Sequence, residues 1–160
     1  MFRNPILPGF YPDPSICRVG DDYYLVTSTF EYFPGLPIFH SRDLVHWHQI
    51  GHVLNRASQL PLQGVRPSGG LYAPTIRFSN GTFYVINTLV DGTTKSGNFI
   101  VTATNPAGPW SEPIWLENAV GIDPSLFFDD DGHAWYVGNR LAAQSQYKGH
   151  TEIWLQELDL

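Results

Sequence analysis

Charge, cysteine and long apolar runs are all scarce in this 160-residue chain. Only 15% of its residues are charged, and no Lys/Arg cluster stands in a chain of net charge -6 and pI near 5.3. That balance argues against nucleic acid or an anionic membrane surface as partner and favours a neutral ligand. The single Cys17 rules out an intrachain disulfide, and its setting after Ser15 and Ile16 predicts a buried strand position and not a reactive thiol. No run is long enough to span a bilayer, and Met1 to Pro5 lack the apolar centre of a signal peptide, so a soluble, cytoplasmic protein without membrane contact is expected. Sparse charge, with 15 Gly and 13 Pro, also excludes long polar helices. What remains plentiful is turns and aromatic side chains, the latter 14% of the chain, which predicts one all-β domain with a sizeable core.

Within this background one short pattern occurs twice. Tyr11, Pro12, Asp13, Pro14, Ser15 near the start returns as Gly121, Ile122, Asp123, Pro124, Ser125 near the end, and each copy leads into an apolar run. A proline directly after each aspartate biases it toward an extended or turn conformation, so that its carboxylate stands at the mouth of a strand. Asp before Pro is also an ordinary turn residue, and the weight of the pair rests on the repetition around it.

That repetition is extensive. Residues 5 to 14 hold four prolines and a glycine, an extended strap. Then follow three hairpins: Ser15 to Val19 with Tyr23 to Ser28 around Gly20-Asp21-Asp22; Ala73 to Phe78 with Thr82 to Thr88 around Ser79-Asn80-Gly81; and Asp123 to Phe128 with His133 to Asn139 around Asp129 to Gly132. Pro14, Pro74 and Pro124 mark the same place in each, and Tyr24, Tyr84 and Tyr136 follow 10, 10 and 12 residues later. A second half also recurs: Pro37 to Ser41, a turn closed by Trp47 and the strand His48 to Leu54 parallel Asn98 to Ala103, a turn closed by Trp110 and Ser111 to Leu116. Thr151 to Leu158 supplies one further strand. A repeat of 60 and then 50 residues with about four strands each predicts propeller blades, with a sandwich or jelly roll as the alternative. The blades run about 13–60 and 70–118, with a third beginning at about 121–160. Because two and a half blades cannot enclose a channel, the chain is expected to be a fragment of a longer protein or to borrow strands from another copy, and a homo-oligomer is left open.

The chain resembles glycoside hydrolase family 43, the five-bladed propeller enzymes that include β-xylosidases and α-L-arabinofuranosidases. The likeness is carried by Asn4 to Leu7, Gly9 to Ile16, Asp22 to Tyr24, Thr27 to Gly35, Ser41 to Leu44 with Trp47, Ser68 to Pro74 and Gly121 to Ser125. It implies hydrolysis with inversion on an oligosaccharide substrate, the xylosidase branch being nearest. It also implies that Asp13 is the general base, that Asp123 is the carboxylate keeping the acid's pKa high, and that Phe30, Tyr72, Ala73 and Ile122 line the sugar subsite. Tyr72 stands where xylosidases usually carry Trp, and Ile122 where many relatives carry Phe, so xylose and arabinose both stay open. The family's general acid, a Glu in a Glu-(Gly or Ala)-Pro-His motif, has no counterpart in these residues. No cofactor is expected; the family allows an axial Ca2+, whose ligands this chain does not identify. A non-catalytic sugar-binding propeller module is the rival from another class.

The remaining polar features read as structural. Glu152 and Glu157 are expected on solvated strand faces. Asp129 to Gly132 looks like a calcium loop but occupies a hairpin-turn position, and lacks the downstream Glu of an EF-hand. The six histidines lack ligand spacing for zinc, and Trp47 and Trp110 are expected to pack blades.

Overall fold

The computed structural model describes residues 2–60 and 62–160, and among these every regular element is a strand. The first sheet is a meander of β1 (Ser15–Val19), β2 (Asp22–Val26), β3 (Gly35–Ser41) and β4 (His48–Leu54), each antiparallel to the next. In the second, β7 (Thr82–Val90) pairs along one edge with both β5 (Gly70–Leu71) and β6 (Thr75–Ser79), and then come β8 (Gly97–Ala103) and β9 (Ile114–Trp115). The third holds β10 (Ile122–Phe128), β11 (Ala134–Leu141) and β12 (Thr151–Leu158). The leading strands lie side by side, β6 against β1 on one flank and β10 on the other. The result is part of a propeller, with each sheet as a blade.

Packing follows from strand periodicity. Along β7, Phe83, Val85 and Leu89 turn to the first sheet, and Tyr84 and Ile86 to the third. The middle sheet is therefore apolar on both faces, as a sheet covered on both sides must be. Its partners are Val26, Leu36, Ile38 and Leu54 on one side and Leu126 and Tyr136 on the other, all nearly inaccessible. The outer sheets each keep one open face: Ile16 is half-exposed on the first, Ile153 and Leu155 largely exposed on the third.

Several details differ from what the repeat predicts. Gly70–Leu71 is a strand with no counterpart in the sequence pattern, and the outer strand expected over 111–116 shortens to Ile114–Trp115. Tyr24 and Tyr84 are equivalent, each pairing across the hairpin with Cys17 and Arg77, and each reaching the next blade, Tyr24 onto Phe83 and Tyr84 onto Phe128 at 5.0 Å. Tyr136 is not their equivalent. The third hairpin turn is longer, so Trp135 takes that register, opposite Phe127, and Tyr136 points to the other face, fully buried, beside Trp154. Trp47 and Trp110 do share a role, each indole N–H donating to a carbonyl three or four residues back, although Trp47 is only half-buried and Trp110 is buried. Cys17 is half-buried, and desolvation pushes its thiol up to about 11 against the opposing pull of Arg77. Glu152 and Glu157 are not free on their strand: they pair with Arg140 and His133 of β11 and the turn before it. Asp129 accepts from the backbone N–H of Asp131 and His133 and from the Trp135 indole, so its carboxylate is occupied by its own turn.

Two links tie the leading strands together. The amide of Ile76 in β6 donates to Ser15 Oγ in β1 at 3.1 Å. Arg77 reaches the opposite way, donating from Nε to the Leu126 carbonyl at 3.0 Å and from Nη2 to Ser125 Oγ at 3.1 Å. Replacing Arg77 with Met keeps the apolar stem but leaves those acceptors without their donor, and is expected to cost about 1–3 kcal/mol. Urea unfolding measures it; an unchanged midpoint would show that the guanidinium does not join the second and third blades.

Candidate active site

Each leading strand slips register by one residue at the same place. Between β10 and β11 the pairing of Ser125 with Val137 gives way to that of Ile122 with Asn139. In the first sheet, the ladder pairing Ser15 with Val26 is followed by Ser28 N–H donating to the Pro12 carbonyl, and in the second the pairing of Thr75 with Ile86 is followed by Tyr72 N–H donating to Thr88. The residue squeezed out is Asp13, Ala73 or Asp123. A bulge re-aims a side chain away from the plain alternation of the strand, and here it does so at three equivalent points, giving Asp, Ala, Asp across three adjacent strands.

Both aspartates take a backbone conformation that the following proline was expected to disfavour. Asp13 has φ 53° and Asp123 φ 54°, in the left-handed region and not the extended one. The bulge overrides the local bias of the proline, and aspartate is among the few non-glycine residues that tolerate this region. Such strain persists only where the surroundings fix it.

The carboxylates sit in different surroundings. Asp13 Oδ2 accepts a 2.6 Å hydrogen bond from Ser28 Oγ, whose residue is wholly buried. Among the described residues no group donates to the Asp123 carboxylate; its pKa is raised, first by desolvation and then by the charge of Asp13. That electrostatic coupling places the two side chains in one neighbourhood, although neither is buried. Asp123 in turn helps to push Tyr136 up to about 12, burial being the larger cause. Asn98 joins the second blade to the third here, donating to Tyr136 Oη at 2.9 Å and to the Ala119 carbonyl at 2.7 Å.

The other expected subsite residues gather around the same segment. Phe30 forms a two-bond bridge with Leu71, and its ring meets Tyr72 edge to face at 5.6 Å. Tyr72 donates its hydroxyl to the Ser68 carbonyl at 3.1 Å, and the Asn87 amide holds the Tyr72 carbonyl at 2.5 Å. Ala73 is the middle bulge residue. Ile122, 38% exposed, occupies in the third blade the position Tyr72 has in the second. Sequence reasoning missed Ser28, Phe10 and Tyr32. Phe10 and Tyr32 are 61% and 59% exposed and continue the aromatic surface outward, Phe10 lying 6.1 Å from both Phe30 and Tyr32. A signal for them existed in the aromatic spacing around Asp13 and Phe30, but it does not distinguish a rim from packing.

Two sizeable concavities lie elsewhere. One, about 730 Å³, surrounds the Asp129–Gly132 turn and the end of β12; the other, about 740 Å³, runs between the N-terminal strap and the first sheet beside Leu44 and Trp47. Neither is lined by Asp13 or Asp123. Among the described residues no group of three or more His, Cys, Asp or Glu is placed to hold a metal ion.

Residues 2–160 match the family described as glycosyl hydrolases family 43. The chain belongs to glycosyl hydrolase family 43. It is 62% identical over 161 residues to a xylosidase/arabinosidase of Butyrivibrio fibrisolvens, covering 99% of this chain and 30% of that protein. A non-reducing end α-L-arabinofuranosidase of Bacteroides ovatus is 63% identical over 130 residues, covering 81% of this chain and 24% of its own length. The solved xylan β-1,4-xylosidase of Bacillus halodurans superposes with TM-score 0.91 at 50% identity, over 99% of this chain and 31% of that one. This family 43 chain thus spans about 30% of the length of such relatives.

Two outcomes are expected of the site. Gly70, at φ 90°, lies so close to the Phe30 carbonyl that a Cβ would collide with backbone. Gly70→Ala is expected to break the Phe30–Leu71 bridge and cost roughly 2 kcal/mol or more; a melting temperature within a degree of the parent would contradict this. The second concerns pH. Because the folded pKa of Asp123 is raised, the folded state keeps its proton when the unfolded state has already lost it, so stability falls as pH climbs from the ordinary aspartate range through the raised value. Asp123→Asn is expected to melt above the parent near neutral pH, the advantage fading as pH drops to about 3. An advantage that grew on acidification would reverse the sign.

Proposed function

We propose that this chain carries the base-bearing part of an exo-acting, inverting glycosidase that releases terminal xylose from β-1,4-xylo-oligosaccharides. Asp13 is the general base, taking a proton from the attacking water, and Asp123 is the neighbouring carboxylate that holds the acid's pKa high. The observation that carries the reading is the pair of equivalent bulges presenting two aspartates in unequal surroundings, one gripped by a hydroxyl and the other with its pKa raised by desolvation and then by its neighbour's charge. Equivalent residues driven apart by environment are how one site supplies unlike proton-transfer roles. Phe30 and Tyr72 offer ring faces and edges to a pyranose, with Ala73 leaving room between the carboxylates. The general acid is supplied from outside these residues.

A second reading, α-L-arabinofuranosidase, is left open by Tyr72 and Ile122 and supported by the likeness to the Bacteroides ovatus α-L-arabinofuranosidase. One experiment addresses both. Residues 2–160 are exchanged for the matching segment of the Bacillus subtilis β-xylosidase, 53% identical over 142 residues, and the product is assayed on aryl β-xyloside and aryl α-L-arabinofuranoside. The xyloside is expected to be the faster substrate, and Asp13→Asn to lower kcat by about 10²–10⁴-fold. A faster arabinoside selects the second reading; sugar binding without hydrolysis selects the non-catalytic module. The 160-residue chain by itself is expected to hydrolyse an aryl xyloside at background rate, and turnover abolished by Asp13→Ala would refute that.

A further inference from the structure

The three blades offer an internal comparison at the position that faces each bulge. It is held by Ser28 in the first, Thr88 in the second and Asn139 in the third, as the one-residue slips show. Where the bulged residue is Ala73, no carboxylate is present, and the Thr88 hydroxyl donates instead to Asn98 Oδ1 at 2.5 Å, within its own sheet. Where it is Asp123, the facing Asn139 makes no bond to it among the described residues, and its Oδ1 is buried without a partner. Only at Asp13 does the facing side chain bond the bulged residue.

We propose that Ser28 is a positioning residue for Asp13, an inference that rests on the reading of Asp13 as the general base. Ser28 grips the loop twice, its N–H on the Pro12 carbonyl at 3.0 Å and its hydroxyl on Asp13 Oδ2 at 2.6 Å. Ser28 is wholly buried, so its hydroxyl has no competing water, and a buried hydroxyl without an acceptor is costly. The bond occupies Oδ2 and fixes rotation about the Cβ–Cγ bond. Oδ1 is left with its lone pairs for the water to be activated. Asp13 stands on a strained bulge and is not buried, and in solution its carboxylate would otherwise rotate freely. The device binds one oxygen so that the other keeps a constant direction, the orientation on which a general base depends.

The test begins on the 160-residue chain and needs no turnover. The side-chain carboxyl ¹³C signal of Asp13, identified by its loss in Asp13→Asn, is compared at neutral pH in the parent, Ser28→Ala and Ser28→Thr, with the Asp129 signal reporting an intact fold. Ser28→Ala is expected to shift the Asp13 signal and Ser28→Thr to restore it, since the equivalent position in the second blade holds Thr88. Should Ser28→Ala not fold, Ser28→Cys, a weaker donor of similar size, is expected to give a smaller shift in the same direction. An Asp13 signal unmoved in a folded variant overturns the proposal. In the exchanged, active enzyme, Ser28→Ala is then expected to lower kcat about tenfold with KM within about twofold, as for loss of one hydrogen bond to a charged group, and Ser28→Thr to recover most of it. A moved signal with unchanged kcat leaves Ser28 holding Asp13 and overturns the assignment of Asp13 as base.

Discussion

Two serine hydroxyls, one from each Asp-Pro-Ser, set the spacing of everything around the site. Ser15 holds the amide of Ile76 and Ser125 holds the guanidinium of Arg77, so neighbouring residues of β6 are tied to β1 and to β10. Each serine lies two residues after its aspartate, on the same strand. The distance between the carboxylates is therefore governed by bonds to the strand between them and not by a direct contact of the two loops. Such an arrangement keeps two like charges near each other, because the repulsion acts against two polar links and the packed middle sheet.

The middle sheet makes that possible by having no free face. Residues 83 to 89 and 99 to 101 alternate between the cores on either side, so any slip by one residue would exchange Val85 for Tyr84 and disorder both. Register is thus fixed in the strands before the bulge, and the bulge inherits it. A single extra residue at Asp13, Ala73 or Asp123 then turns the side chain out of the alternation without disturbing the ladder below.

How much of this could be read from the chain depends on the range of the interaction involved. The hairpins were legible because Asn80-Gly81 and the Gly20 and Gly132 turns are local chemistry, and the all-β propeller followed from their repetition. Tyr136 was misplaced because counting from Pro124 ignores the length of the intervening turn, and the register puts Trp135 where Tyr24 and Tyr84 stand. Gly70–Leu71 was missed because a two-residue strand has no period, and what makes it a strand is its pairing with Leu89 and Val90 at the far end of β7, with Phe30 bridging Leu71 from elsewhere in the sequence. The left-handed backbone at both aspartates was hidden for a related reason: the proline rule describes an isolated dipeptide, whereas the bulge is imposed by the ladder. Ser28 was part of the motif that carried the family likeness, yet nothing local marks a strand serine as the partner of a carboxylate fifteen residues earlier.

The aromatic surface is graded outward from the site. Phe30 and Tyr72 are half-buried, anchored by the Leu71 bridge and the Asn87 amide, whereas Phe10, its ring near those of Phe30 and Tyr32, and Tyr32 leave more than half of their surface in water. Burying a ring stabilises a fold, so exposing two together forgoes free energy that the local core could have gained. The inner pair is tied through its backbone and the outer pair only through ring contacts, so the surface is held more firmly near Asp13 than at its rim, a gradation that suits the sugar subsite proposed above. Around the site, left-handed backbone falls on the inner side, at Phe30 with φ 49° and Asp13 with φ 53°, and not at Phe10 or Tyr32.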